Sequence, residues 1–304
     1  MRKVAVCVCT YRRNGPLERL LHRLVEIGAS TSSVELGVVV ADDNPDQAAR
    51  AIVEAFNDRF SLGTRYLVNG TQNISNGRNL VLAEATTFAD LAAMTDDDCL
   101  PDHGWIGALL RTYDDQGVDS VTGPLLVELA AGAAPWITRE RLFDRLDSFP
   151  ADDVPLDSGQ TNNCLIACDW LRRHPDHRFD PALGRLGGED MVFFRGAVLI
   201  GMRSHFSAAA KVYAIEPLED LTLRALVRTY FWLGNSEAVT NLELESSGRT
   251  RIFLRGGRRC ARSVAGPIVA VCRGRSPELR SALVLTARGL GVVSGALGAR
   301  VRHH

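Results

Sequence analysis

Within the first seventy residues, apolar runs alternate with stretches of helical periodicity, and that alternation leaves few folds open. Val4-Ala-Val-Cys-Val-Cys9 is almost continuously apolar, as strands covered on both faces of a parallel sheet are. Pro16 suits a first helical position. Leu17, Leu20, Leu21, Leu24 and Ile27 then share one helical stripe, which Gly28 is placed to stop. Leu36-Gly-Val-Val-Val-Ala41 reads as a second buried strand, residues 47–60 as a helix and Arg65-Tyr-Leu-Val68 as a short third strand. Strand, helix, strand, helix, strand predicts an α/β fold: a mostly parallel sheet with right-handed crossovers. Ligands of such sheets sit outside the carboxyl ends of the strands. Thr10-Tyr11 and Asp42-Asp43 fall there.

The acidic run Met94-Thr95-Asp96-Asp97-Asp98-Cys99 follows an apolar approach and is closed by Pro101. It reads as a further strand that ends in carboxylates at the same edge. In extended backbone Asp96 and Asp98 point the same way. Carboxylates held that close repel unless a cation or donor array lies between them, and Mg2+ or Mn2+ takes such oxygen ligands beside phosphate. An isolated acidic triplet is equally well a solvated turn. Asn73-Ile-Ser-Asn-Gly-Arg-Asn79 precedes a helical stretch at residues 80–85; a loop entering a helix offers free N–H groups to an anion, and Arg78 adds a forked cation suited to phosphate. Gly187-Gly188-Glu189-Asp190 sets two permissive glycines before paired acids, with Phe193 and Phe194 to anchor the helix that follows. Acids at a helix N-terminus are also favoured by the macrodipole alone.

Further along, residues 105–114 read as a helix, 120–124 as a strand and turn, 161–168 as a strand leading away from a site, 211–215 as a last strand and 221–233 as a helix. The span 125–158 is less regular; its Trp136, Phe143 and Phe149 read as packing of a cover rather than as the lining of an acceptor cleft. The 304 residues make one large or two small domains. Their net charge of −1 hides an asymmetry: residues 249–302 carry 12 Arg and one acid, Glu278. A basic tail on an acidic body predicts contact with an anionic surface. Leu279, Leu283, Leu290, Val293, Leu297 and Val301 recur there at near-helical intervals, so a basic amphipathic helix can lie on an anionic bilayer or dock on the body. Seven cysteines form no zinc spacing and read as reduced, mostly buried thiols of a cytoplasmic protein. No signal-peptide pattern stands at the N-terminus, and no apolar run approaches the ~20 residues of a membrane span.

The ordered set Val6-Cys-Val-Cys-Thr-Tyr-Arg-Arg13, Val38-Val-Val-Ala-Asp-Asp-Asn-Pro45, Asn76-Gly-Arg-Asn79, Thr95-Asp-Asp-Asp98, Gly123-Pro124 and Gly187-Gly-Glu-Asp-Met-Val-Phe-Phe194 resembles the inverting family 2 glycosyltransferases of GT-A fold, most of all those of succinoglycan-type exopolysaccharide assembly. The resemblance covers about residues 4–234. It implies a GT-A domain over residues 1–235, with a nucleotide-sugar-binding half at 1–100 and an acceptor half at 101–235, followed by a basic helical region at 236–304. It implies a nucleotide-sugar donor, UDP by default, and Mn2+ or Mg2+. Carried over by position, Thr10 and Asp42 border base and ribose with Asp43, Tyr11, Arg12 and Asp97 in the same donor-binding set. Arg78 approaches the diphosphate, Asp96 contacts ribose or metal, and Asp98 is the main metal ligand. Asp190 is the catalytic base, with Glu189 beside it on the acceptor. The expected acceptor is a glycan, lipid-linked or small glycoside rather than nucleic acid, met in the cytoplasm with peripheral contact at the inner face of the cell membrane. The chain departs from the family in having Gly77 where Ala is frequent, and in lacking Gln-x-x-Arg-Trp, which argues for single transfer. A sugar-nucleotidyltransferase shares the strand order but begins with a glycine-rich basic loop where this chain has Thr10-Tyr-Arg-Arg-Asn14. A non-catalytic nucleotide- or glycan-binding protein on the same scaffold is the other alternative.

Overall fold

In the computed structural model, which describes residues 1–143, 149–244 and 248–302, the first apolar run is β1 (Arg2–Thr10), with every residue from Val4 to Val8 buried. The leucine stripe is the buried face of α1 (Asn14–Ser30), which runs two residues past Gly28. β2 (Val34–Asp42) follows, then α2 (Arg50–Ala55) and β3 (Thr64–Val68). The helix expected over 47–60 is thus short and gives way to a single 3-10 turn at Asn57–Arg59. α3 (Ile74–Ala85) begins six residues before the apolar stretch that announced it, because the Asn73 side chain accepts from the Ser75 and Asn76 amides. That is the ordinary N-cap exchange of a side-chain oxygen for an orphan N–H.

β4 (Leu91–Thr95) pairs parallel with β1, and β1 with β2, and β2 with β3. β5 (Cys99–Pro101), α4 (Trp105–Gln116), β6 (Ser120–Thr122), β7 (Leu125–Leu129), α5 (Pro135–Arg139), β8 (Asn163–Ala167), α6 (Cys168–Arg173), α7 (Glu189–Leu199), β9 (Ser204–Phe206) and β10 (Val212–Glu216) come next. The main sheet runs β3-β2-β1-β4-β8-β6-β9. β8 is antiparallel to both neighbours, and β9 is parallel to β6. A small sheet runs β5-β10-β7. The chain closes with α8 (Leu223–Leu244), α9 (Arg249–Cys272) and α10 (Leu279–Ala296). α8 passes without a break through residue 235.

Two units result. The first comprises Met1–Leu126, Phe149–Arg185 and Phe193–Ala214. Its core is the apolar surface of the main sheet, with α1, Trp105 of α4, Trp170 of α6 and Phe193 and Phe194 of α7. The second comprises Val127–Ser148, Leu186–Val192 and Ile215–His304. Trp136 and Ile137 of α5 pack there with Leu221, Leu226, Tyr230 and Val284. Trp136 and Phe143 are therefore packing residues. Phe149, in the first unit, is stacked 6.2 Å from Phe206. Residues 144–148 of the irregular span lie outside the described residues.

α8 and α10 meet through small residues. A methyl group at Gly234 would strike the Arg288 backbone, and one at Gly291 the Phe231 carbonyl. The leucine row read from the sequence is not this face: Leu279, Leu283, Leu290 and Leu297 are exposed. Helices can approach closely wherever small side chains line the contact, so the buried face of α10 carries glycine and alanine beside Val284 and Val292, while these four leucines point away.

Candidate active site

The parallel register brings the carboxyl ends of β1, β2 and β4 side by side, Thr10 opposite Asp42 and Cys7 opposite Met94. Each end carries an acid or hydroxyl with defined partners. Asp42 is buried; its carboxylate accepts from the Asn44 amide at 2.8 Å, the Ala49 amide at 3.3 Å and the Tyr66 hydroxyl at 2.6 Å. Burial, and then this hydrogen bond, push the Tyr66 hydroxyl well above its ordinary pKa, so it stays a donor. Asp43 accepts from the Gln72 amide at 2.7 Å and the Asn73 amide at 2.8 Å, which ties the loop entering α3 to the end of β2.

The acidic run is a turn rather than a continuation of β4. The Cys99 amide donates to the Asp96 carbonyl at 3.1 Å. The turn sends the three carboxylates different ways. Asp97 points inward, where it accepts from the Thr10 hydroxyl at 2.7 Å and from Arg13 at 3.3 Å. Burial raises its pKa to about 6, against the pull of the Thr10 hydrogen bond and of Arg13. Asp98 is exposed and also pairs with Arg13. Asp96 lies 3.9 Å from the Arg78 guanidinium. Asp96 and Asp98 do not share a side by strand spacing, since this backbone is not extended, yet the turn still leaves ligand atoms of Asp96, Asp98 and Cys99 within 4.8 Å of one another. Burial, and then the neighbouring carboxylates, push the Cys99 thiol up, so it stays protonated and is a poor ligand for a hard cation. The two carboxylates are the donor set that fits Mg2+ or Mn2+, which typically takes one or two protein carboxylates and completes its shell with phosphate and water.

Arg78 is only 8% exposed, unlike most arginines near a helix start; its guanidinium lies 5.7 Å over the Phe179 ring as well as beside Asp96. Asn79 exchanges two hydrogen bonds with the Phe179 backbone, at 2.8 and 2.9 Å, so this half of the Arg-Asn pair is an anchor. Gly77 sits in a tight spot: a methyl group there would lie 3.1 Å from the Cys9 sulfur, which would have to shift by a few tenths of an ångström. Where the family has Ala, this chain has a large atom opposite.

Tyr11 is exposed and accepts from the Gln72 amide group at 3.3 Å. Arg12 has a left-handed backbone, φ 57°, and its guanidinium lies 5.1 Å over the Tyr11 ring. Arg12, Arg13, Asn14 and Asn44 line an open cleft of about 610 Å³. Arg13 is the residue that sequence reasoning left out of the site. Its signal was present, a second basic residue directly after Thr-Tyr-Arg in a chain with an acidic triplet, but only the fold brings the two together.

In the second unit, Glu189 and Asp190 open α7. Glu189 is buried, and the Asp190 carboxylate accepts from the Met191 amide at 2.7 Å. The glycines before them are needed for the chain itself. Gly187 and Gly188 have φ of +83° and +87°, a region that L side chains rarely enter. A methyl group on Gly187 would strike Trp232, and one on Gly188 would strike Thr240. Trp232 also donates its ring N–H to the Leu186 carbonyl at 2.8 Å. The aromatic run of α8 thus holds the turn that presents the two acids.

The sequence matches the family model for Glycosyl transferase family 2 over residues 5–173, more than half of the chain. The chain is a family 2 glycosyltransferase. The succinoglycan biosynthesis protein ExoM of Rhizobium meliloti (strain 1021) is 29% identical to it over 302 residues, covering 97% of this chain and 93% of that protein. Among solved structures, the glycosyltransferase resembles S. aureus TarS 1-349 in complex with UDP, with a TM-score of 0.54, 16% identity and coverage of 93% of this chain and 90% of that one. It also resembles GalNAc-T7 with UDP, GalNAc and Mn2+, with a TM-score of 0.54, 14% identity and coverage of 78% and 51%. At those identities the likeness concerns the fold, which is GT-A.

Proposed function

We propose that the enzyme moves one sugar from a nucleotide-sugar donor, a UDP-sugar by preference, to a glycan, lipid-linked or small glycoside acceptor, with inversion at the anomeric carbon. The observation that carries this reading is the row of polar groups at the carboxyl ends of β1, β2 and β4: Thr10, Asp42, Asp43 and the Asp96–Asp98 turn, with Arg78 buried behind it. The UDP in the TarS complex and the UDP and Mn2+ in the GalNAc-T7 complex support the choice of donor, and the name of ExoM supports polysaccharide assembly. In this reading Thr10, Tyr11, Arg12, Asp42, Asp43 and Asp97 form the nucleoside side of the donor site, and Arg78 faces the diphosphate. Asp98 and Asp96 would hold Mn2+ or Mg2+, which when bound supplies positive charge for the departing diphosphate. Asp190 takes the acceptor hydroxyl proton while the acceptor oxygen bonds to the anomeric carbon. The bond from that carbon to the donor phosphate oxygen breaks, and its electron pair leaves with the nucleoside diphosphate. Glu189 orients the acceptor. One displacement turns an α-linked donor into a β-linked product. We take transfer to occur in the cytoplasm at the inner face of the cell membrane, a reading supported by the arginine-rich C-terminal region.

Release of the nucleoside diphosphate from a panel of sugar nucleotides, measured beside UDP binding with and without Mn2+, tests the assignment. Asp190→Asn is expected to lower turnover by roughly 10²–10⁴-fold with donor affinity retained, and Asp98→Ala to lose the Mn2+-dependent part of UDP affinity. Parallel loss of binding and turnover in Asp190→Asn refutes its role as base. Binding without release from any sugar nucleotide favours the non-catalytic alternative.

A further inference from the structure

We propose that the outward faces of α9 and α10 form a docking element that lies in the plane of an anionic bilayer. This rests on the peripheral association proposed above and names the surface responsible for it. At about 100° per residue, α9 divides into three arcs. Ile252 and Gly256, its two buried residues, mark the side packed inward. A second arc carries Arg251, Arg255, Arg258 and Arg262, all exposed. The third carries Phe253, Leu254, Val264, Ile268 and Val271, each between 41% and 63% exposed. A soluble two-faced helix has no use for that third arc. From residue 264 to 272 the chain holds no charged side chain and no buried residue, so this stretch is apolar on a helix that leaves it open.

α10 extends the same surface. Its Gly291 and Gly295 face α8, and its Gly289 faces Gly256 and Cys260 of α9. Between those two contact faces run Leu279, Leu283, Leu290 and Leu297, from 50% to 72% exposed. By the same rotation this row borders the apolar arc of α9 along the seam of the two helices. A contiguous apolar face this large on a folded chain marks an interaction site.

Charge selects the occupant. Residues 249–302 carry 12 Arg and the single acid Glu278. Self-association through a two-fold axis would set an arginine-flanked face against itself. An anionic headgroup layer instead supplies the opposite charge to the arginine arc while its acyl boundary takes the apolar one, which is the arrangement of interfacial helices. The element lies on the bilayer rather than through it, since among the described residues no helix is long and apolar enough to cross a membrane.

The test uses the full chain, without donor or acceptor, so its outcome is independent of the sugar-transfer reading. Sedimentation with vesicles of phosphatidylcholine alone is compared with an equimolar mixture with phosphatidylglycerol. An environment-sensitive fluorophore on Cys272, an exposed cysteine in the apolar arc, reports burial. The protein is expected to pellet with the anionic vesicles, with a blue shift at Cys272. The Val264→Glu/Ile268→Glu double variant should lose roughly tenfold or more of that partitioning while its circular dichroism is unchanged. Arg255→Gln/Arg258→Gln should weaken the response to phosphatidylglycerol, and serves if the first variant fails to fold. Wild type that stays in the supernatant with both vesicle types overturns the proposal. So does a dimer in light scattering that Val264→Glu/Ile268→Glu dissolves, which would assign the face to a second copy.

Discussion

The main sheet and α9 treat their apolar side chains in opposite ways. In β1 and β2 the valines at 4, 6, 8, 38, 39 and 40 are all without solvent exposure, and polar groups gather where the strands end. In α9 the large apolar side chains other than Ile252 are mostly on the outside, and its buried residues are Ile252 and Gly256. The difference teaches that hydrophobicity in this chain has two uses. In the sheet it builds the frame that fixes Thr10, Asp42 and Asp97 in register. In the last helices only part of it is buried, around Leu226, Tyr230, Ile252, Val284 and Val292, and close approach is achieved by glycine.

Four measurements would break or sharpen that contrast. The largest effect is expected at Trp105, fully buried in the first unit, whose ring N–H donates to Asn163 at 2.8 Å. Asn163 in turn donates to the Pro124 and Ala210 carbonyls. Trp105→Ala should cost about 3–5 kcal/mol in urea unfolding; a loss no larger than that of a surface change would deny the sheet its role as rigid frame. Next comes Gly291→Ala, where the new methyl meets the Phe231 carbonyl. It should cost about 1–3 kcal/mol, and a neutral result would show that α8 and α10 can separate freely.

A smaller effect concerns pH. His177, half-buried, donates from Nε2 to the Phe193 carbonyl at 2.8 Å. Burial lowers its pKa below the ordinary value, with the hydrogen bond opposing. The unfolded chain therefore takes up the proton first. The stability due to neutral His177 is complete above about pH 6.5 and falls as the pH drops through that value toward the folded pKa. His177→Gln, which cannot titrate, should show a shallower fall in unfolding midpoint between neutral and mildly acidic buffer. An unchanged slope would remove His177 from the account. The smallest effect is expected for Ile268→Ala on α9, within about 0.5 kcal/mol of wild type. A large loss of stability there would mean that the exposed arc is part of a packed core.

Much of the first unit was legible in the sequence because its strands are buried on both faces, and such strands leave short apolar runs that their length and flanking residues set apart from helices. The helix over 47–60 was overestimated because apolar spacing alone does not show where backbone hydrogen bonds shift to a 3-10 turn. The carboxylates at 42, 43 and 96–98 could be placed at one edge from strand order alone. Their individual environments could not. Asp97 is turned inward onto Thr10 and Arg13, whereas Asp96 lies beside Arg78 and Asp98 is exposed. That division depends on a turn whose geometry three identical residues do not encode.

The leucine row of α10 shows the same boundary from the other direction. Its helix is there but ends at Ala296, before Leu297 and Val301, and Val293 turns toward Gly256 of α9; periodicity says which residues share a face, never which face is buried. The chain's own order of residues settled the alternation of strands and helices, the placing of the acids at strand ends, and the excess of arginine at the end. Tertiary structure decided which carboxylate is buried, that Gly77 faces the Cys9 sulfur, and that the glycine side of α10 rather than its leucine side turns inward. Those outcomes depend on atoms brought close from distant parts of the polypeptide, and local pattern carries no record of such distances.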